Sequence, residues 1–120
     1  MDKKKKKKKE RLKKVFSFIH DNYFKDISRK DIIDTLDIGE AQFTRFFKEV
    51  SGATFTEYLN SYRIIKSAYL LIYTKKSITD IAYETGFQDL SYYIKIFNKQ
   101  MGVSPNNYRK NIATQTLKNL

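Results

Sequence analysis

The chain has no cysteine and no tryptophan, one proline, four glycines and a single histidine in 120 residues. Without cysteine there is neither a disulfide framework nor a thiolate metal site. One histidine, His20, cannot make a multi-histidine site, so no metal is expected. So few breakers favour a helical chain. Long hydrophobic runs are also missing. The longest, "IIKSAYLLIY", is interrupted by Lys66, whereas a membrane span needs roughly 18 apolar residues. The basic start is not followed by an uncharged apolar stretch, so nothing reads as a signal peptide. A cytoplasmic protein with no membrane partner is the expectation. No glycine-rich phosphate loop and no Ser-His-Asp set is present, so neither a cofactor nor an enzyme activity is expected. The acidic pairs Asp31/Asp34 and Asp80/Glu84 fall at predicted helix starts, where carboxylates complement the helix dipole.

What is present is positive charge, unevenly spread. Residues 1–14 hold ten of the 24 basic groups and two of the 13 acidic ones, so they carry +8 of the net +11. The remaining 106 residues carry only +3. The run Lys3 to Lys9 should repel itself, which predicts a disordered tail or linker over residues 1–9. Such a tail could solubilise the chain or bind phosphates non-specifically.

Apolar periodicity predicts seven helices and no strands. Leu12, Val15, Phe16, Ile19 and Tyr23 form a stripe at helical spacing. Ser28 and Asp31 open a second helix with the elements of a capping box, and Phe43, Phe46, Phe47 and Val50 mark a third that closes at Gly52. Thr54 and Glu57 make a full capping box for a long helix to about Thr74. Ser77 and Asp80 open a short helix that stops near Gly86. Tyr93, Ile96, Phe97 and Met101 mark a helix closed by Gly102. Ser104-Pro105 then opens a last one, with fraying expected over 115–120.

These segments repeat. Ser28, Asp31 and Ile32 align with Ser77, Asp80 and Ile81 at an offset of 49; Phe43, Phe47, Gly52 and Tyr58 align with Tyr93, Phe97, Gly102 and Tyr108 at 50. The extra residue falls in the break between the two short helices, where a loop absorbs it. Gly86 permits the turn, and Asp89 or Gln88 can cap the helix that follows. In the first copy Asp37 and Gly39 share these tasks. Each copy is a helix-turn-helix pattern. The expected architecture is all-α, with one such unit at about 10–53, a linker helix at 54–74 and a second unit at 77–114. In this motif the second helix lies in a major groove of DNA. A linker of ~21 residues is ~31 Å long, close to the ~34 Å between successive grooves on one duplex face. The alternative is a helical protein-interaction module with a polyanion-binding lysine tail.

The stretch "SITDIAYETGFQDLSYYIKIFNKQMGVSPNNYR" carries Ile81-Ala82, Gly86-Phe87, Ser91-Tyr92, Phe97-Asn98-Lys99, Gly102, Ser104-Pro105 and Tyr108-Arg109. The first unit adds Phe47-Lys48, Gly52, Glu57-Tyr58-Leu59, Arg63, Ala68 and Leu71. Over about residues 10–112 the chain resembles the DNA-binding domain of the AraC/XylS transcription regulators. It departs from them at Ile33, where a small Ala is usual, at Gly39, where Ser is common, and at Asn98, where Lys is usual. The resemblance implies a bacterial regulator whose partners are double-stranded DNA and RNA polymerase. It also implies an effector-binding or dimerisation domain in a longer chain.

Recognition helices are expected at about 40–50 and 90–101. On the first, Glu40, Ala41, Gln42, Arg45 and Lys48 share the face opposite the apolar one. Gln42 suits an adenine edge, Arg45 a guanine, and Glu40 a cytosine or open solvent. On the second the matching face is Leu90, Ser91, Tyr92, Lys95 and Lys99. Base contacts are expected at Glu40, Ala41, Gln42, Arg45, Leu90, Ser91, Tyr92 and Lys95, and phosphate contacts at Ser28, Lys48, Ser77 and Lys99.

Overall fold

The computed structural model describes residues 2–118, and these form seven α-helices with no strand among the described residues. They are α1 (Lys3–Asn22), α2 (Arg29–Leu36), α3 (Glu40–Ser51), α4 (Phe55–Tyr73), α5 (Ile78–Glu84), α6 (Leu90–Met101) and α7 (Pro105–Lys118). The chain divides into two compact units. The first holds the chain through Tyr23 together with Ile27–Leu59; the second holds Phe24–Asp26 and the chain from Asn60 onward.

The expected caps are in place. The Thr54 and Glu57 side chains each accept the other's backbone N–H, both at 3.1 Å. Asp31 accepts from the Ser28 N–H at 2.8 Å, and Ser77 Oγ accepts from the Asp80 N–H at 3.0 Å. Asp89 accepts from the Ser91 N–H at 3.0 Å, and Ser104 Oγ from the Asn107 N–H at 3.1 Å. Each side chain satisfies a helix N–H that has no partner within the helix.

Two ends differ from expectation. Where a disordered tail is expected, α1 begins at Lys3, with the Asp2 carboxylate accepting from the Lys4 N–H at 3.0 Å. Lysine is a good helix former. Once the turns at Val15 and Ile19 are held by burial, extending the helix backwards needs no new nucleus. At the other end α7 continues beyond Thr114 to Lys118. The rest of the expected fray, residues 119 and 120, lies outside the described residues.

In the first unit Val15 and Ile19 of α1, Ile32 and Leu36 of α2, and Phe43, Phe46 and Phe47 of α3 are buried with Phe55 and Leu59 of α4. The rings of Phe43, Phe47 and Phe55 stand 5.7 to 6.1 Å apart, and Tyr58 meets Phe47 edge-on at 5.6 Å. In the second unit Ile64, Ala68 and Leu71 of α4 pack with Ile81, Ala82, Phe87, Tyr93 and Phe97. Tyr108 of α7 meets Phe97 edge-on at 5.5 Å. Tyr93 and Phe97 thus fill the places that Phe43 and Phe47 fill in the first unit. Ile33, the counterpart of fully buried Ala82, is only half-buried.

Each tight turn places one residue at positive φ, with opposite chemistry in the two units. After α5, Gly86 takes φ +98°. Its N–H donates to the Tyr83 carbonyl at 3.1 Å, and the Phe87 N–H donates to the Ala82 carbonyl at 3.0 Å. This bond pair is the Schellman motif, and its apolar partners Phe87 and Ala82 are both in the core. After α2 the left-handed position falls to Asp37, at φ 55° and ψ 41°, the one non-glycine residue with positive φ among those described. Two residues on, Gly39 occupies the N-cap of α3 at φ −74°, without a side-chain cap. The counterpart of Gly39 in the second unit is the capping Asp89.

Candidate nucleic-acid interface

Within the first unit, burial of Phe43, Phe46 and Phe47 fixes the rotation of α3. Glu40, Ala41, Gln42, Arg45 and Lys48 are then all exposed on its other side. A shallow surface groove lined by Ala41, Thr44, Arg45, Lys48 and Glu49 runs along it. The helix axis thus presents one amide, one guanidinium and one ammonium to a partner. The acid at its start is not free. Arg29, the first residue of α2, forms an ion pair with Glu40 and donates to Thr44 Oγ at 3.4 Å. Arg29 therefore covers the entrance of α3, a role that its position eleven residues upstream of Glu40 does not reveal in sequence.

In the second unit Tyr93 and Phe97 point inward and Ser91, Tyr92, Lys95 and Lys99 are exposed. Two expected contacts are constrained. Leu90 is half-buried and packs against the core cluster, so only part of it remains for a partner. The Tyr92 hydroxyl accepts from Asn60 Nδ2 at 2.8 Å, which fixes the ring and leaves its proton to donate. Asn60, on α4, is a second positioning residue that the sequence pattern did not single out.

The two serines differ. Ser77 Oγ accepts from the Asp80 N–H and keeps its own proton for a further acceptor. Ser28 Oγ directs its proton to the Asp31 carboxylate at 3.3 Å, so a phosphate would have to compete for it. Lys48 and Lys99 lie in the last turns of α3 and α6 and are exposed.

Behind α6, Arg63 is buried, 8% exposed, and donates to the Lys25 carbonyl at 2.8 Å. Its guanidinium lies 5.8 Å from the Phe87 ring centroid, a cation–π distance. Burial pulls its pKa below the ordinary value, against the opposing effects of Asp26 and Tyr92. Arg63 ties the segment Phe24–Asp26 to α4 and to the turn before α6. Arg109 of α7 likewise donates to the Leu71 carbonyl at 3.0 Å and to the Thr74 carbonyl at 3.3 Å. The Tyr93 hydroxyl is buried with no hydrogen bond of good geometry among the described residues. Burial raises its pKa, while a weak side-chain hydrogen bond with Ser67 and the charge of Arg109 act the other way. Among the described residues no group of His, Asp or Glu could hold a metal ion, and no helix is long and apolar enough to cross a membrane.

Two helix-turn-helix units in one chain, each with an exposed polar second helix, define a tandem helix-turn-helix protein. A protein-family model described as a helix-turn-helix domain matches residues 32–111. An uncharacterized HTH-type transcriptional regulator, YdeC of Bacillus subtilis (strain 168), is 32% identical over 100 residues, covering 83% of this chain and 34% of YdeC. The C-terminal domain of AraT, a response regulator from Geobacillus stearothermophilus, superposes with a TM-score of 0.80 at 28% identity, covering 84% of each chain. The DNA-binding domain of the global transcriptional factor AdpA, solved with a target DNA, shares the fold with a TM-score of 0.82 at 20% identity, covering 87% of this chain and 94% of that one. The chain belongs to the AraC/XylS family of helix-turn-helix regulators and corresponds to its DNA-binding domain. It is a DNA-binding domain of transcription regulation and not an enzyme. It spans about a third of the length of the curated relatives it matches.

Proposed function

We propose that the chain reads a specific DNA sequence through α3 and α6, each placed in a major groove, the two grooves being adjacent on one face of a duplex. One observation carries this reading: the same helix-turn-helix, with an exposed polar second helix, occurs twice in one chain. Gln42 and Arg45 match adenine and guanine edges, Ala41 can meet a thymine methyl, and Glu40, held by Arg29, meets cytosine or orders the helix entrance. Ser91, Tyr92 and Lys95 supply hydroxyl and ammonium donors to the second half-site, and Leu90 an apolar edge. Ser28, Lys48, Ser77 and Lys99 serve the phosphates, which fix register without encoding sequence. The repeats run head to tail in one chain, so the site is asymmetric and needs no dimer. We further propose that the domain acts within a longer bacterial regulator carrying an effector-binding or dimerisation domain. There it recruits or occludes RNA polymerase.

The test is selection from random duplexes of about 25 base pairs, with the full chain and with residues 10–120. The expected result is a bipartite motif with half-sites about one helical turn apart, kept without the lysines. Arg45→Ala should relax one half-site at a cost of about 1–3 kcal/mol, and Lys95→Ala should weaken the other. Binding that selects no sequence and disappears with the lysine run would overturn the reading. It would favour a helical interaction module with a polyanion-binding tail.

A further inference from the structure

We propose that the lysine-rich start of α1 is a helical shelf for the DNA backbone, set beside the exposed face of α3. The proposal rests on the DNA-binding reading above and adds a site to it. At 100° per residue, Lys4, Lys5, Lys8, Arg11, Leu12, Val15 and Ile19 lie within about 60° of one line along α1. That line is the inward stripe of the first unit. Ile19 and Val15 are fully buried and Leu12 and Arg11 half-buried. Lys8 then pairs with Glu49 of α3 at 3.4 Å, and Lys4 and Lys5 are exposed beyond it. The stripe that packs the core thus continues past it as basic side chains facing the same way.

Glu49 decides what this overhang stands next to. It follows Arg45 by four residues and Ala41 by eight, so it shares their side of α3, and it lines the same surface groove. The lysine helix therefore reaches the face of α3 that would meet DNA, at its C-terminal end. A carboxylate there would repel a phosphate backbone, and Lys8 offsets it. Lys4 and Lys5 extend the positive surface one turn further, where the fitting partner is the duplex backbone flanking the α3 half-site. The other lysines of the run, Lys3, Lys6, Lys7 and Lys9, point away from this line.

Two charge-matched variants of the full chain test the idea. Lys4→Gln/Lys5→Gln/Lys8→Gln removes the inner three ammonium groups, and Lys3→Gln/Lys6→Gln/Lys7→Gln removes three of the four outer ones. Glutamine at these exposed positions retains helix propensity. Affinity is measured from 50 to 200 mM salt on a duplex carrying the selected site with ten flanking base pairs on each side. The inner variant should lower the log–log salt slope by about 2.7, which is roughly a forty-fold change across that salt range. The outer variant should change it by less than 1. Equal losses in the two variants would overturn the shelf in favour of a disordered charge tail, and so would no loss in either. A motif selected equally by all three proteins keeps the DNA reading standing whichever way the slopes fall. Slopes that separate on a duplex of any sequence, with no motif selected, would support the shelf and remove the sequence-specific reading.

Discussion

Tyr93 fills the place of Phe43 but brings a buried hydroxyl with no well-formed hydrogen bond, Ser67 being its weak neighbour. A buried polar group that is poorly satisfied costs on the order of 1 kcal/mol, so Tyr93→Phe should leave stability unchanged or raise it by up to about 1 kcal/mol in urea denaturation at neutral pH, and a loss would show that the Ser67 contact holds the hydroxyl. The sign with pH is also set. Its pKa is raised in the folded state, so the folded chain holds the proton longer than the unfolded one. Its contribution is complete below the ordinary tyrosine value near 10 and is lost as pH rises through the folded value. The alkaline loss of stability should therefore shrink in Tyr93→Phe; an unchanged alkaline profile would contradict this. Arg29 carries a second prediction at this scale. Arg29→Ala leaves Glu40 uncompensated at the start of α3, so affinity for the selected duplex should fall about tenfold, as about 1.4 kcal/mol. Glu40→Gln added to it should restore most of the loss. Failure of the pair to recover would mean that Arg29 acts on DNA directly rather than through Glu40.

The two turns present a natural experiment at the scale of elements. Asp37 holds a left-handed conformation that glycine adopts without steric cost, and Gly39 holds an N-cap that a hydroxyl or carboxylate fills better. A Cβ built at Gly39 meets no atom within 4 Å. Asp37→Gly with Gly39→Ser should raise stability by on the order of 1 kcal/mol, seen as a higher urea midpoint with an unchanged m-value. The reverse exchange in the second unit, Gly86→Asp with Asp89→Gly, should lower it by at least as much. There the turn also forms the Schellman bonds that seat Phe87 in the core. Arg63 belongs with these elements, because one side chain links α4, the segment before α2 and the turn before α6. Arg63→Met should cost roughly 1.5–3 kcal/mol, the range for hydrogen bonds to charged groups.

For the whole molecule, the consequence is a spacing rule. If two helices read adjacent grooves, inserting five base pairs between the selected half-sites turns one of them to the opposite face of the duplex. Affinity should drop at least tenfold and specificity reduce to a single half-site. Equal binding to both spacings would mean that only one helix reads sequence. The charge distribution makes a companion point. Residues 15–120 carry a net +3 and the first 14 residues +8, so most of the non-specific affinity should reside in α1 and most of the specificity in α3 and α6.

The apolar stripes, caps and closing glycines were sufficient by themselves to specify seven helices, the tandem repeat and the faces of α3 and α6. Each of these is a local signal, read within one or two turns of chain, and the caps at Thr54, Ser77 and Asp89 formed as their spacing implied. Three things needed the tertiary structure. Arg29 meets Glu40, Asn60 holds Tyr92, and Lys8 meets Glu49 across separations of 11, 32 and 41 residues. The start of α1 at Lys3 was likewise not legible in composition. By composition it repels itself into disorder, but it is attached to a helix already nucleated by the burial of Val15 and Ile19. Polar side chains on exposed faces carry no periodic signature of their partners, and packing of the apolar faces alone decides which of them come within hydrogen-bonding reach.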